Sequence, residues 1–151
     1  AERPLTPKGK KKLEQIAAGL IRIGFAVDWI VTSPLVRAEE TAKIIAAALP
    51  SKVPLDPCDA LKPGGSHADL TAFLGSHPER TRVLLAGHEP DLSTLAGRLI
   101  GAGRHANVAF KKGGCCLIEW PDPSHDPPFE TNGTLVWWLT PQLLRAIAGE
   151  K

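Results

Sequence analysis

The sequence predicts an α/β domain with a largely parallel central sheet flanked by helices on both faces. Stretches with apolar residues at helical spacing alternate with short apolar runs, the order expected where helices cross between parallel strands. Two of those runs end in abrupt turns, Thr-Ser-Pro at 32–34 and Gly-His at 87–88, and pass at once into helical spacing. A chain of 151 residues with 43% hydrophobic content is long and apolar enough for one buried core. A single domain over residues 1–151 is therefore expected.

Each element has a local reason. Thr6 is placed to cap a helix with Pro7 at its first position, and Leu13, Ile16, Ala17, Leu20 and Ile21 recur on one side until Gly24 ends it. A short strand follows at 29–32. Ser33 and Pro34 start a second helix whose apolar side is Leu35, Ala38, Ala42, Ile45 and Leu49. Residues 53–55 read as a brief strand, 57–65 as a loop rich in turn formers, and 67–74 as a short helix. The clearest strand, 82–86, runs into Gly87-His88 and then a helix from Pro90 with Leu92, Leu95, Ala96 and Leu99 inward. Strands at 115–120 and 134–139, joined by a proline-rich loop, precede a last helix at about 141–148.

Composition excludes more than it assigns. A formal charge of +2 is too mild for a grip on nucleic acid, which needs basic residues gathered on one surface. Lys8, Lys10, Lys11 and Lys12 fit a solvated helix face and have no aromatic residues beside them for base stacking. Cys58, Cys115 and Cys116 form no Cys-x-x-Cys pair, so neither zinc nor a disulfide framework is indicated. No apolar run reaches the length of a membrane span and no secretory segment is present. The expectation is a cytoplasmic protein with no membrane or nucleic-acid partner, no metal and no cofactor. The chain also lacks methionine and opens on Ala-Glu-Arg-Pro, leading straight into a helix cap; residues preceding Ala1 are expected.

The chemistry points to two places. In open α/β sheets ligands bind beyond the carboxyl ends of the strands, where the next helices present free N–H groups and the positive ends of their dipoles. Ser33 and His88 each follow such a strand, and Arg37 in the first turn of the second helix can lean back toward the same space. A guanidinium fork suits a phosphate held at a helix end. The plainer reading pairs Arg37 with Glu39 or Glu40. His67, His77, His105 and His125 read as helix-start or loop residues without a companion at metal-ligand spacing.

Taken together, RPLTPKG near the start, SPLVRAEETA, the LKPGG loop and LLAGHEPDLS resemble the histidine phosphatase superfamily, the phosphoglycerate-mutase-like fold, and within it the phosphohistidine phosphatase branch. The resemblance runs from Arg3 to the last strand. It implies a histidine nucleophile that takes the phosphoryl group and is then hydrolysed, surrounded by arginines and a second histidine. Arg37 matches the arginine of the family's second motif and His88 the second histidine, both as catalytic and phosphate-binding residues; Arg3 matches the arginine of the RPLT segment, at the rim of the phosphate site. Such groups place positive charge where charge spreads over the equatorial oxygens in phosphoryl transfer. The implied partner is a phosphorylated protein or small phosphorylated compound.

One departure is large. The family's nucleophile lies in an Arg-His-Gly motif at the end of a first strand upstream of RPLT, and these 151 residues contain no Arg-His-Gly. Arg104-His105 stands in the wrong chain order. The expectation is a phosphatase whose first strand is missing from this sequence; the alternatives are a phosphomonoesterase on a small metabolite, a non-catalytic relative that binds phospho-ligands, and a basic nucleic-acid binder. Many esterases of the superfamily carry an acidic glutamate in the loop after their third strand, whereas the matching stretch 56–63 has Lys62 and no glutamate. That favours a substrate such as phosphohistidine, whose imidazole leaves readily. Asp56 and Asp59 are the candidates for an acid if one is needed.

Overall fold

The structure, a computed structural model, describes residues 3–103, 107–120 and 132–149. Its first helix, α1 (Pro7–Arg22), begins where Thr6 accepts the Gly9 N–H at 3.0 Å, with Pro7 in the first turn, and Gly24 turns the chain away at φ 86. Strand β1 (Trp29–Thr32) matches its sequence reading residue for residue and is buried throughout. Helix α2 (Val36–Ala48) starts three residues later than Ser33, because the Ser33 hydroxyl is drawn instead into the turn, accepting the Leu35 N–H at 3.2 Å.

Strand β2 (Leu55–Pro57) is shifted from the expected 53–55. Pairing sets its place: Ile30 lies opposite Leu55 in parallel register, and the Ile30 N–H donates to the Pro54 carbonyl. A one-turn 3-10 helix (Asp59–Leu61) interrupts the following loop, and α3 (His67–Gly75) is capped by Ser66. Strand β3 (Val83–Ala86) joins the other side of β1, giving the parallel order β2-β1-β3. Helix α4 (Asp91–Leu99) follows it.

The alternation of side chains along β1 divides the core. Trp29 and Val31 pack with Leu61, Leu70, Leu95 and Leu99, so α3 and α4 cover one face of the sheet. Ile30 packs with Ala42 and Ala86, so α2 covers the other. This is the expected sheet with helices on both faces. On its free side, β3 pairs with no strand among the described residues.

The last two strands are a sheet of their own. Strands β4 (Cys115–Glu119) and β5 (Thr134–Leu139) pair antiparallel, with a register shift between Leu117 and Ile118. Helix α5 (Pro141–Ile147), capped by Thr140, returns to α1, where Leu144 meets Ile16 and Leu20, with Cys115, Trp137 and Leu139 beside them. Gly19 permits that approach, since a β-carbon there would stand 2.0 Å from the Leu144 carbonyl oxygen. No helix among the described residues is long and apolar enough to cross a membrane. His105 and His125 lie outside the described residues.

Candidate active site

The parallel register of β1 and β3 sets Thr32 opposite Ala86, so the residues that follow them, Ser33 and Gly87-His88, leave the sheet side by side. The Ser33 N–H donates to the Ala86 carbonyl at 2.8 Å, extending the pairing one step past the strand. His88 Nε2 and Ser33 Oγ are 2.8 Å apart. Ser33 is fully buried and its hydroxyl oxygen already accepts the Leu35 N–H. The hydroxyl proton is then free to point at Nε2, which would leave the imidazole proton on Nδ1; the opposite tautomer donates from Nε2. Either way Ser33 fixes the ring plane at the carboxyl edge of the sheet.

Arg37 lies in the first turn of α2, exposed. Neither glutamate that could have neutralised it does so. Glu39 pairs with Lys43 at 3.0 Å, and Glu40 accepts the Leu5 N–H at 2.7 Å and Lys10 at 3.2 Å. Among the described residues Arg37 has no carboxylate partner, and its charge is felt at His88. Burial of the imidazole, and after it the Arg37 guanidinium, push His88 below the ordinary histidine value, with Asp91 pulling weakly the other way. The site is therefore electropositive, with a largely neutral histidine near neutral pH. Arg3 is exposed, two residues before the Leu5 amide that Glu40 holds; the structure gives it no bonded partner in the site.

The two aspartates considered as acids are engaged elsewhere. Asp56 Oδ2 accepts the Trp29 indole N–H at 2.8 Å, and Asp59, with its side chain 84% exposed, pairs with Lys62 at 3.5 Å. Two residues that composition and motif left aside come closer. Asp91 and His67 line the same small cavity as His88, with Ala60, Leu61, Gly65 and Leu92. An aspartate at the third position after the strand-end histidine was the available signal for Asp91; the position of His67 depends on a loop path that sequence spacing does not fix. Glu89, beside His88, accepts from the Ser93 hydroxyl and from the Phe110 N–H at 3.2 Å, so it fastens residue 110 to the start of α4. His77, read as a loop residue, packs its ring against Trp29 at the opposite end of β1, with centroids 4.7 Å apart and the planes tilted by 42°. Among the described residues no group of three His, Cys, Asp or Glu side chains could hold a metal ion.

The fold and these motifs have close counterparts. The family model of the histidine phosphatase superfamily (branch 1) matches residues 1–62. An uncharacterized protein of Picosynechococcus is 36% identical over 118 residues, covering 75% of this chain and 69% of its own. Among solved structures, the protein histidine phosphatase SixA complexed with tungstate superposes with a TM-score of 0.80 at 22% identity, covering 95% of this chain and 89% of SixA. The α-ribazole phosphatase of Shigella flexneri gives 0.70 at 18% identity, covering 93% and 86%. The chain belongs to the histidine phosphatase superfamily. By name, one of these solved structures is a protein histidine phosphatase and the other an α-ribazole phosphatase.

Proposed function

We propose that the protein is a phosphatase working through a phosphohistidine intermediate, on phosphohistidine in proteins or on small N-phosphoryl compounds. The single observation that carries this is the meeting of a Ser33-oriented His88 with the field of an Arg37 that no carboxylate neutralises, beyond the carboxyl ends of two adjacent parallel strands. The proposal sets a tetrahedral oxyanion between the guanidinium fork and the imidazole, at the first turn of α2. Tungstate, the ion bound by SixA, is a tetrahedral oxyanion of the same kind. In this proposal Arg3, which is exposed, adds a second positive group at the rim.

The nucleophile is not among the described groups. In the proposed reaction a histidine from an Arg-His-Gly segment outside these 151 residues attacks phosphorus. The bond from phosphorus to the leaving nitrogen breaks and its electron pair stays on that nitrogen; an imidazole whose other ring nitrogen is already protonated thus leaves as the neutral ring. Water then attacks the phosphohistidine, releasing inorganic phosphate. Arg37 and His88 hold the phosphoryl oxygens through both steps. The substrate class rests on the loop at 56–63: with Asp56 given to Trp29 and Asp59 to Lys62 and solvent, neither is placed to protonate an alkoxide, whereas imidazole leaves without such help.

The test has two stages. The 151-residue chain should bind inorganic phosphate or tungstate without turnover, and Arg37→Ala should weaken that binding by roughly 10- to 100-fold, the range of a lost charge-assisted hydrogen bond. Joined to an upstream strand bearing Arg-His-Gly, it should hydrolyse a phosphohistidine peptide with higher kcat/KM than an alkyl phosphate, and His88→Ala should cost on the order of 10²-fold in rate. Oxyanion binding indifferent to both residues removes the assignment. A preference for the alkyl ester that collapses in Asp59→Asn makes the protein an acid-assisted phosphomonoesterase instead.

A further inference from the structure

A carboxylate next to an anion site repels the substrate, so its presence there requires a compensating use. Asp91 is such a carboxylate. It sits in the first turn of α4, lines the cavity that His88 and His67 also line, and its charge reaches the His88 ring. Its Oδ2 accepts the Gly64 N–H at 2.7 Å, across 27 residues of sequence.

The bonded partner is the tip of a tightly folded loop. Gly64 has φ +79, in the left-handed region that glycine enters without strain, and a β-carbon on Gly65 would stand 2.1 Å from the Ala60 carbonyl oxygen. Within the loop the Leu61, Lys62 and Gly65 amides donate to the Cys58, Asp59 and Lys62 carbonyls. From the loop, Leu61 reaches to 3.6 Å from where a Gly87 β-carbon would stand, and Leu92 presses on the same point at 3.4 Å. The wall beside Gly87-His88 is thus made of one residue from this loop and one from α4, and the Asp91–Gly64 bond joins the two.

We infer that Asp91 is a positioning residue of the phosphoryl site: it latches the loop at 59–65 onto the first turn of α4 and so holds the wall against which His88 is set. The inference rests on the phosphatase reading above. The groups facing His88 are then Ser33 from the end of β1, Arg37 from α2, His67 from α3 and Asp91 from α4.

Latch and charge separate cleanly in two variants. Asp91→Asn retains an acceptor oxygen for Gly64 and loses the negative charge; Asp91→Ala loses both. In the 151-residue chain, binding of inorganic phosphate is measured by calorimetry at about pH 8, well above the ~6.5 of an ordinary histidine. Gly64 amide exchange and the His88 titration are followed by NMR. Asp91→Asn should keep Gly64 protected, bind phosphate as well as the parent or better, and move the His88 midpoint down. Asp91→Ala should exchange Gly64 faster and bind phosphate roughly tenfold more weakly, the scale of one lost hydrogen bond, although it too has lost a repelling charge. The same charge change with opposite effects on affinity is the signature of a latch. Equal phosphate affinities in the two variants, or unchanged Gly64 exchange in Asp91→Ala, overturn the inference while leaving the phosphatase reading intact. Phosphate binding by the parent chain that does not depend on Arg37 overturns the reading and the inference together.

Discussion

Replacing Gly19 by alanine sets two effects of known sign against each other. Gly19 lies inside α1, where glycine is the poorer helix former by about 1 kcal/mol, so an unhindered helix would gain that much on substitution. The added β-carbon, however, would stand 2.0 Å from the Leu144 carbonyl oxygen and 2.8 Å from its carbonyl carbon. Both are backbone atoms of α5, and no rotamer change moves them. Relief requires α5 to withdraw by about 1 Å, opening the contact at which Leu144 is fully buried against Ile16 and Leu20. Overpacking of this kind costs ~1–3 kcal/mol, and more where backbone must move. The larger figure applies here, and after the ~1 kcal/mol helix gain a net loss of about 2 kcal/mol is expected. For a chain of this size that lowers Tm by roughly 4–8 °C. Urea unfolding followed by tryptophan fluorescence reads the change directly, through Trp137 beside the contact. A gain in stability near 1 kcal/mol would show that α5 yields freely and refute the close-approach argument.

Other expected outcomes concern titration and reactivity. His88 has its native value below the ordinary 6.5 because of burial and then Arg37; the unfolded chain therefore binds more protons between the two values, and stability should fall as pH drops from ~6.5. His88→Gln should flatten that segment of the pH–stability curve, and an unchanged curve would contradict it. Asp28 gives a separate loss in stronger acid. Burial raises its carboxyl, but hydrogen bonds from Thr81 and Arg82 outweigh that and bring it below the ordinary 3.8. Its stability contribution is present above that value and lost as pH falls through the native one. Asp28→Asn should therefore melt lower at neutral pH and converge with the parent in acid. Burial pushes the Cys115 thiol up to about 11 and, with Cys115 beside it, Cys116 to about 12. At pH near 8 their alkylation should run at least ~100-fold slower in the native chain than in urea, following the thiolate fraction; native rates equal to unfolded ones would mean the strand is not packed as described.

What the sequence disclosed, it disclosed through local chemistry. β1 was legible because three apolar residues, Trp29 to Val31, end at a Thr-Ser-Pro turn, and α1 because Thr6 and Pro7 mark its start as clearly as Gly24 marks its end. β2 was misplaced because its position is set by the partner strand, through Ile30 opposite Leu55, and not by the β-branched Val53. Arg37 and His88 were singled out from strand-end logic. Their relation to each other was not visible, because it passes through Ser33, whose hydroxyl is used in the turn and at His88 when sequence pattern offered it as a helix start. The plainer pairing of Arg37 with Glu39 or Glu40 looked equally good on paper. It fails because Leu5 and Lys10, 35 and 30 positions away, reach Glu40 first, and Lys43 takes Glu39. Asp91 was passed over for the same kind of reason, since its partner is a backbone amide in a loop and carries no side-chain signal.

The pairing of α1 with α5 also sets a schedule. The apolar stripe of α1, Ile16 and Leu20, is covered by Leu144, Trp137, Leu139 and Cys115, with Leu13 and Phe25 the earlier apolar partners among the described residues. Gly19 and Leu144 are 125 positions apart in the chain. At ~5–20 residues per second of synthesis, α1 waits roughly 6–25 seconds for the residues that cover this stripe. During that interval the stripe faces whatever surrounds the ribosome, so α1 completes its native packing late, and truncations that remove α5 should be cleared by proteases far sooner than their small size suggests.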